Sequence, residues 1–386
     1  MFLRRLELKN WRNFRKVDIN LIETNYVLGP NASGKSNLLD ALRFLRDVSK
    51  AKGGGLQQAL ELRGGVSKVR CLHHRADSEV AIEVGFSDSA SDESIQWSYR
   101  LAFTVETRGK RRPLVTSEQV VQDGRVILSR PDKRDGDDVL LLTETHLEQS
   151  LANRKFRPIV EFLSAIRYLH LVPQLLKYSE QIGGALIETD PFGQSFLDSI
   201  ADVPDKSRAA RLKRIGQVLA IAVPQLQELR FERDDKTGRP HLEARYDHWR
   251  PNAGRQREDE FSDGTLRLIG LLWLLQEGDG MLLLEEPELS LDEGVVQQLP
   301  FLFSRILKQR KRRARQLLIS THSEALLSNP GIDSAGVSVI QMASEGSLLR
   351  PVDEAESGML EAGFTVADAV LPSVHPKRLD QLSLDF

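Results

Sequence analysis

Eight residues near the start of the chain, Gly29-Pro30-Asn31-Ala32-Ser33-Gly34-Lys35-Ser36, place two glycines with four residues between them and close on Lys-Ser. That spacing is built for phosphate. Glycines let backbone N–H groups curl around phosphate oxygens, and a helix starting there adds about half a positive charge. Lys35 then reaches the β- and γ-phosphates of a nucleotide, and Ser36 holds Mg²⁺. Far downstream, Met281-Leu282-Leu283-Leu284-Glu285-Glu286-Pro287-Glu288 is an apolar run ending in acids. A buried strand of this kind delivers carboxylates to one point. Glu285 is expected to organise the metal and Glu286 to orient the attacking water, a role that typically contributes about 10²–10⁴-fold in rate.

Two shorter stretches add to these. Phe261-Ser262-Asp263-Gly264-Thr265 opens an apolar helical pattern, with Ser262 as its cap and the amides around Gly264 as an anion site. Ser320-Thr321-His322-Ser323 follows an apolar strand and offers His322 at its exit.

The positioning elements are legible from periodicity. Leu3, Leu6 and Leu8, then Val17, Ile19 and Leu21, alternate as strands, and a third strand, 25–28, runs into the phosphate loop. Leu38, Leu39, Leu42 and Leu45 recur at helical spacing behind it. Strands are expected again over 80–84, 99–105 and 120–128, helices between 141 and 222, and strands near 229–232 and 241–246. The last third alternates: helix 262–276, strand 281–285, helix 293–309, strand 316–320, helix 323–328, strand 336–341. No internal repeat or sustained heptad pattern is present.

Composition sets the outer limits. The chain has 386 residues, 40% apolar and 28% charged, which excludes wholesale disorder. A net charge of −2 gives no global attraction to nucleic acid, so a DNA surface must be a local patch. The single cysteine, Cys71, rules out an intramolecular disulfide and is expected to be a small buried hydrophobe. There is no signal-like N-terminus, and the longest clean apolar run, 268–275, is too short for a bilayer. The expectation is a soluble cytoplasmic protein without membrane attachment.

Taken in chain order, these motifs resemble the ABC class of ATPases, and within it the short-armed group of SMC, RecF and OLD-like proteins. Asn31-Ala32-Ser33-Gly34-Lys35-Ser36-Asn37-Leu38-Leu39-Asp40-Ala41 is similar to the SMC and RecF phosphate loop, and Leu8-Lys9-Asn10-Trp11-Arg12-Asn13-Phe14 to the opening turn of RecF. Residues 281–288 look like Walker B, with Glu285 where the family more often has Asp, and 261–265 like the ABC signature. Ser290-Leu291-Asp292 looks like the D-loop, and His322 like the switch histidine. The resemblance covers about 1–140 and 255–345. It implies ATP and Mg²⁺ as cofactors and a homodimer with two composite sites. Each would use Lys35, Ser36, Glu285, Glu286 and His322 of one chain, with Ser262, Asp263 and Gly264 from the other. Asn37 and Arg12 join Gly29–Ser36 as candidate nucleotide contacts. No Q-loop residue is assigned, since Gln57 and Gln58 sit too near the glycines at 53–55.

The expected fold is therefore α/β: an ABC-type P-loop NTPase head with an antiparallel strand lobe (1–140), a helical insertion (141–255), a C-terminal lobe (256–350) and a tail (351–386). With 250 residues between Lys35 and Glu285, the compact AAA+ spacing is excluded. No D-x-D follows His322, Asp135-Gly136-Asp137 reads as a polar loop, and His241 and His248 make no HNH pattern, so any nuclease belongs to a partner. Basic clusters at 305–315, 206–214 and 108–112 make contact with duplex DNA plausible. The final Gln381-Leu382-Ser383-Leu384-Asp385-Phe386 looks like the hexapeptide that binds the bacterial sliding clamp, with Gln381, Leu382, Leu384 and Phe386 as its contacts. Two functions remain open: a DNA-acting ATPase in repair or genome maintenance, or the sensor subunit of an anti-phage or toxin-like system controlling a separate effector nuclease.

Overall fold

The computed structural model describes residues 1–73, 77–106, 110–182, 190–247, 254–308 and 315–374, with the side chains of 179–182 left aside. The chain divides into two compact units. The first takes Met1–Arg167, Gly280–Leu283 and Ala314–Phe386; the second takes Tyr168–Asp279 and Leu284–Arg313.

The first unit is organised on one long mixed sheet. Its strands, in chain order, are β1 (Phe2–Trp11), β2 (Phe14–Asn20), β3 (Thr24–Leu28), β4 (Val80–Ser87), β5 (Trp97–Val105), β6 (Pro113–Gln122), β7 (Arg125–Arg130) and β8 (Arg167–Leu169). After β9 (Leu226–Arg233), β10 (Pro240–Tyr246) and β11 (Gln256–Arg257) in the second unit come β12 (Leu282–Glu285), β13 (Leu317–Thr321), β14 (Val337–Ala343) and β15 (Gly346–Pro351). The long sheet runs β7-β6-β5-β4-β1-β2-β15-β14-β3-β13-β12-β8. From β7 to β2 every pair is antiparallel, while β3 is flanked by parallel β14 and β13. The chain leaves the first unit along β8 after Arg167 and along β12 after Leu283.

β3 is the strand that aims the phosphate loop. Tyr26, Val27 and Leu28 are buried, as expected of a strand covered on both faces. The helix behind the loop, Lys35–Ser49, buries Leu38, Leu39, Leu42, Phe44 and Leu45. Phe44 stands 5.3 Å from Trp11 and 5.5 Å from Phe103, an aromatic chain running from β1 through the helix to β5. Cys71 is buried, as expected.

The second unit holds helices Phe196–Ala201, Asp205–Ala222, Asp263–Leu275 and Glu293–Lys308, and the small antiparallel sheet β11-β10-β9. Its core includes Leu212, Ile215, Leu219, Leu242, Phe261, Leu266 and Trp273.

Several expectations need correction. The single strand expected over 120–128 is a hairpin, β6 and β7, because Asp123 (φ 48°) and Gly124 (φ 76°) form a two-residue turn with both residues left-handed. The helical stretch 141–222 is interrupted by β8. Asp135 is not in a polar loop: it is 3% exposed, in a short helix capped by Asp132, and lies 2.6 Å from Arg130, which also meets the buried Glu118 at 3.1 Å. Arg315 does not belong to a solvated basic run; it is fully buried, and its Nε donates to the Gly280 carbonyl at 2.7 Å. Part of the segment read as a tail is ordered as helices Glu354–Glu361 and Val366–Val374, with Pro372 inside the second.

Candidate functional site

In the first unit the phosphate loop joins β3 to its helix with Ala32 (φ 62°) and Gly34 (φ 109°) both left-handed. The helix starts at Lys35 with no side-chain cap and no acidic residue in its first turn. Lys35 Nζ curls back onto the loop and donates to the carbonyls of Gly29 (2.9 Å) and Pro30 (3.2 Å). Ser33 Oγ is buried with no hydrogen-bond partner among the described residues.

The turn between β1 and β2 grips this loop residue by residue. Trp11 Nε1 donates to the Asn37 carbonyl at 2.7 Å. Arg12 (φ 55°) pairs with Asp40 on the loop's helix at 2.8 Å, and Arg63 binds the same carboxylate at 2.9 Å. Those guanidiniums, against the cost of burial, hold the Asp40 carboxyl below its usual range. Asn13 Nδ2 donates to the Ser33 carbonyl and to Ser347 Oγ, both at 2.7 Å, while its Oδ1 accepts from Asn37 Nδ2 at 2.8 Å. A Cβ on Gly34 would lie 2.1 Å from Asn13 Nδ2, so only glycine fits under the Asn13 amide. Ser347 Oγ closes the set by donating to the Ser33 carbonyl at 2.7 Å.

His322 comes from the neighbouring strand. β13 pairs parallel with β3 in a register that sets Thr321 beside Leu28, so Gly29 and His322 each follow a paired residue. Thr321 is buried and His322 exposed; Thr321 Oγ1 accepts from the Ser323 amide at 3.0 Å, and Ser323 caps the next short helix.

In the second unit, Ser262 caps helix Asp263–Leu275 by accepting from the Thr265 amide at 3.2 Å, as expected. Asp263 is held by Lys177 (2.7 Å) and Gln174 (2.9 Å). Gly264 is forced by close approach: a Cβ there would lie 2.4 Å from the carbonyl oxygen of Ser290. Ser290 (φ 62°) and Glu286 (φ 43°) both take the left-handed conformation, costing on the order of 1–3 kcal/mol each for such residues. Asp292 Oδ1 accepts from the Gly294 amide at 2.9 Å, while Leu291 donates its amide to the Glu288 carbonyl. Arg267, buried within the apolar helix Asp263–Leu275, donates to the Glu286 carbonyl at 2.9 Å and so holds the strained turn. Burial lowers the Arg267 pKa, opposed by Glu288 and Glu286. Tyr168 Oη donates to Glu285 Oε2 at 2.5 Å.

Asn13, Ser347, Arg267 and Tyr168 were not singled out from the sequence. An arginine inside the run Leu266-Arg267-Leu268-Ile269 was the one available signal. Within the second unit the carboxylates of Glu285 and Glu286 offer oxygen donors, the ligand type Mg²⁺ prefers, and in the first unit Ser36 offers a hydroxyl. The hexapeptide 381–386, His248 and part of the 305–315 cluster lie outside the described residues.

Residues 25–328 match the family described as "AAA domain, putative AbiEii toxin, Type IV TA system", and residues 3–46 match "P-loop containing region of AAA domain". The chain belongs to this AAA family. Its similarities lie with RecF, with GajA and with SMC heads. It is 28% identical to the DNA replication and repair protein RecF of Roseiflexus castenholzii over 157 residues, 39% of this chain and 38% of that one. It is 51% identical to Endonuclease GajA of Bacillus cereus over 49 residues, 13% of this chain and 8% of that one. The chain thus spans about two fifths of that RecF and far less of GajA. Its fold is similar to an SMC head bound to the C-winged helix domain of ScpA (TM-score 0.55, 16% identity, 92% of this chain and 100% of that one). An Smc head derived from Pyrococcus furiosus matches at TM-score 0.51 and 15% identity, covering 94% and 99%. Among the described residues no helix is long and apolar enough to cross a membrane.

Proposed function

We propose that this AAA protein hydrolyses ATP with Mg²⁺ and that two copies close on the nucleotide. The first unit supplies Lys35 to the phosphates, Ser36 to the metal and His322 to the γ-phosphate. The second supplies Glu285 to the metal and Glu286 to the attacking water. Ser262 and Gly264 serve the phosphate held by the other copy, and Ser290, Leu291 and Asp292 meet the seam between copies. The observation that carries this reading is the register of β13 on β3, which lets the histidine loop and the phosphate loop leave the sheet side by side. Glu286 in a strained turn braced by Arg267 supports its role, since such strain is retained where geometry matters to chemistry.

The likeness to RecF favours action on duplex DNA in repair or genome maintenance. The AbiEii description and the likeness to GajA favour the second reading, a defence or toxin-like ATPase working with an effector nuclease. Basic residues of helix Asp205–Ala222 bear on the choice. Arg208 lies over Phe231 and Arg211 over Trp273, and Arg214 bonds Gln276, so these cations are engaged within the unit. Steady-state ATP hydrolysis with and without duplex DNA separates the readings. Stimulation that fades steeply with salt supports the first; a rate indifferent to DNA supports the second. Binding of the sliding clamp through Leu384 remains part of the proposal, and a Leu384→Ala variant that still co-purifies with the clamp defeats it.

A further inference from the structure

Glu285 differs from aspartate by one methylene and one more rotatable bond. A carboxylate that must meet a metal within a few tenths of an ångström needs that extra freedom removed by a neighbour. Tyr168, on β8, is such a neighbour. It is 8% exposed, and its phenol donates to Glu285 Oε2 at 2.5 Å. Leu169, Leu171, Leu271, Leu284 and Pro287 line the space around Glu285 together with the buried Arg267, a mostly apolar, water-poor setting in which a polar contact is stronger than in water. Tyr168 is also the first residue of the second unit, and Glu285 the second residue after the chain re-enters it. The bond therefore ties those two entry points together.

From this geometry we infer that Tyr168 is a positioning residue for the metal-organising carboxylate: its phenol fixes one oxygen of Glu285 and aims the carboxylate at Mg²⁺. The inference rests on the proposed metal role of Glu285. Tyr168→Phe keeps the ring and removes only the hydroxyl. The experiment is a Mn²⁺ titration of the full chain, followed by electron paramagnetic resonance in the presence of a non-hydrolysable ATP analogue, for wild type, Tyr168→Phe, Glu285→Asp and the double variant. Tyr168→Phe is expected to weaken Mn²⁺ binding about tenfold, the lower end of what losing a ligand-orienting partner costs. Nucleotide affinity in EDTA should be unchanged. Glu285→Asp has a shorter arm that withdraws from the phenol. Added to Tyr168→Phe, it should cost little more than Tyr168→Phe alone, as for two ends of one interaction. Wild-type Mn²⁺ affinity in Tyr168→Phe, or fully additive losses, would overturn the inference. Glu285→Gln in the same titration separates the two levels. If it abolishes metal binding while Tyr168→Phe does nothing, only the Tyr168 role fails; if neither changes the affinity, the metal role of Glu285 fails with it.

Discussion

At the scale of single residues, the phosphate loop owes its shape to side chains from the turn between β1 and β2 and from β15. Asn13 makes three hydrogen bonds to the loop, its helix and Ser347, so Asn13→Ala removes the acceptor of the Asn37 side-chain amide and leaves the Ser33 carbonyl with Ser347 alone. A cost of about 1–3 kcal/mol in folding stability is expected, read as a lowered thermal midpoint and a weakened ATP affinity. Gly34→Ala adds a Cβ against that amide at φ 109° and should abolish nucleotide binding, measured by calorimetric titration. Glu286→Gln keeps the shape and removes the base; hydrolysis should fall about 10²–10⁴-fold with ATP binding intact. The loop, the acids after β12 and His322 stand out in the sequence because each is a contiguous cluster of unusual residue types. Asn13 with Ser347, and Tyr168 with Glu285, do not, because ordinary residues far apart in the chain meet only through sheet order.

At the scale of elements, two buried electrostatic devices brace the strand lobe. Arg130 reaches Glu118 and Asp135 with almost no solvent access, so Arg130→Met strands two buried carboxylates and should cost about 3–5 kcal/mol in denaturant unfolding. Glu148 is different. Its carboxylate accepts from the Leu56 amide at 2.9 Å, anchoring the short helix Leu56–Glu61, yet burial pushes its pKa up to about 7 from 4.5. The folded state thus holds this proton more tightly than the unfolded chain. The stability it contributes is complete below pH 4.5 and fades as pH rises to about 7. Glu148→Gln should flatten that part of the profile in thermal melts from pH 4.5 to 8; an unchanged slope would remove Glu148 as its source. Strand alternation made most elements legible, but the Asp123-Gly124 hairpin was missed although its turn chemistry was in plain view. The three-residue β8 was invisible because so short a strand carries no period of its own.

At the scale of the whole molecule, nucleotide state and assembly state become one equilibrium, because the residues proposed to hydrolyse ATP are divided between two copies. Binding that requires a partner stabilises the partnership by the same free energy. Lys35→Ala should therefore remain monomeric in ATP, while Glu286→Gln, able to bind but not to hydrolyse, should accumulate as the closed form. The most direct measurement is the molar mass of Glu286→Gln by light scattering, with and without saturating ATP and Mg²⁺. A shared site predicts a monomer that doubles in mass when ATP is added and stays doubled. A mass that does not change in saturating ATP would contradict it.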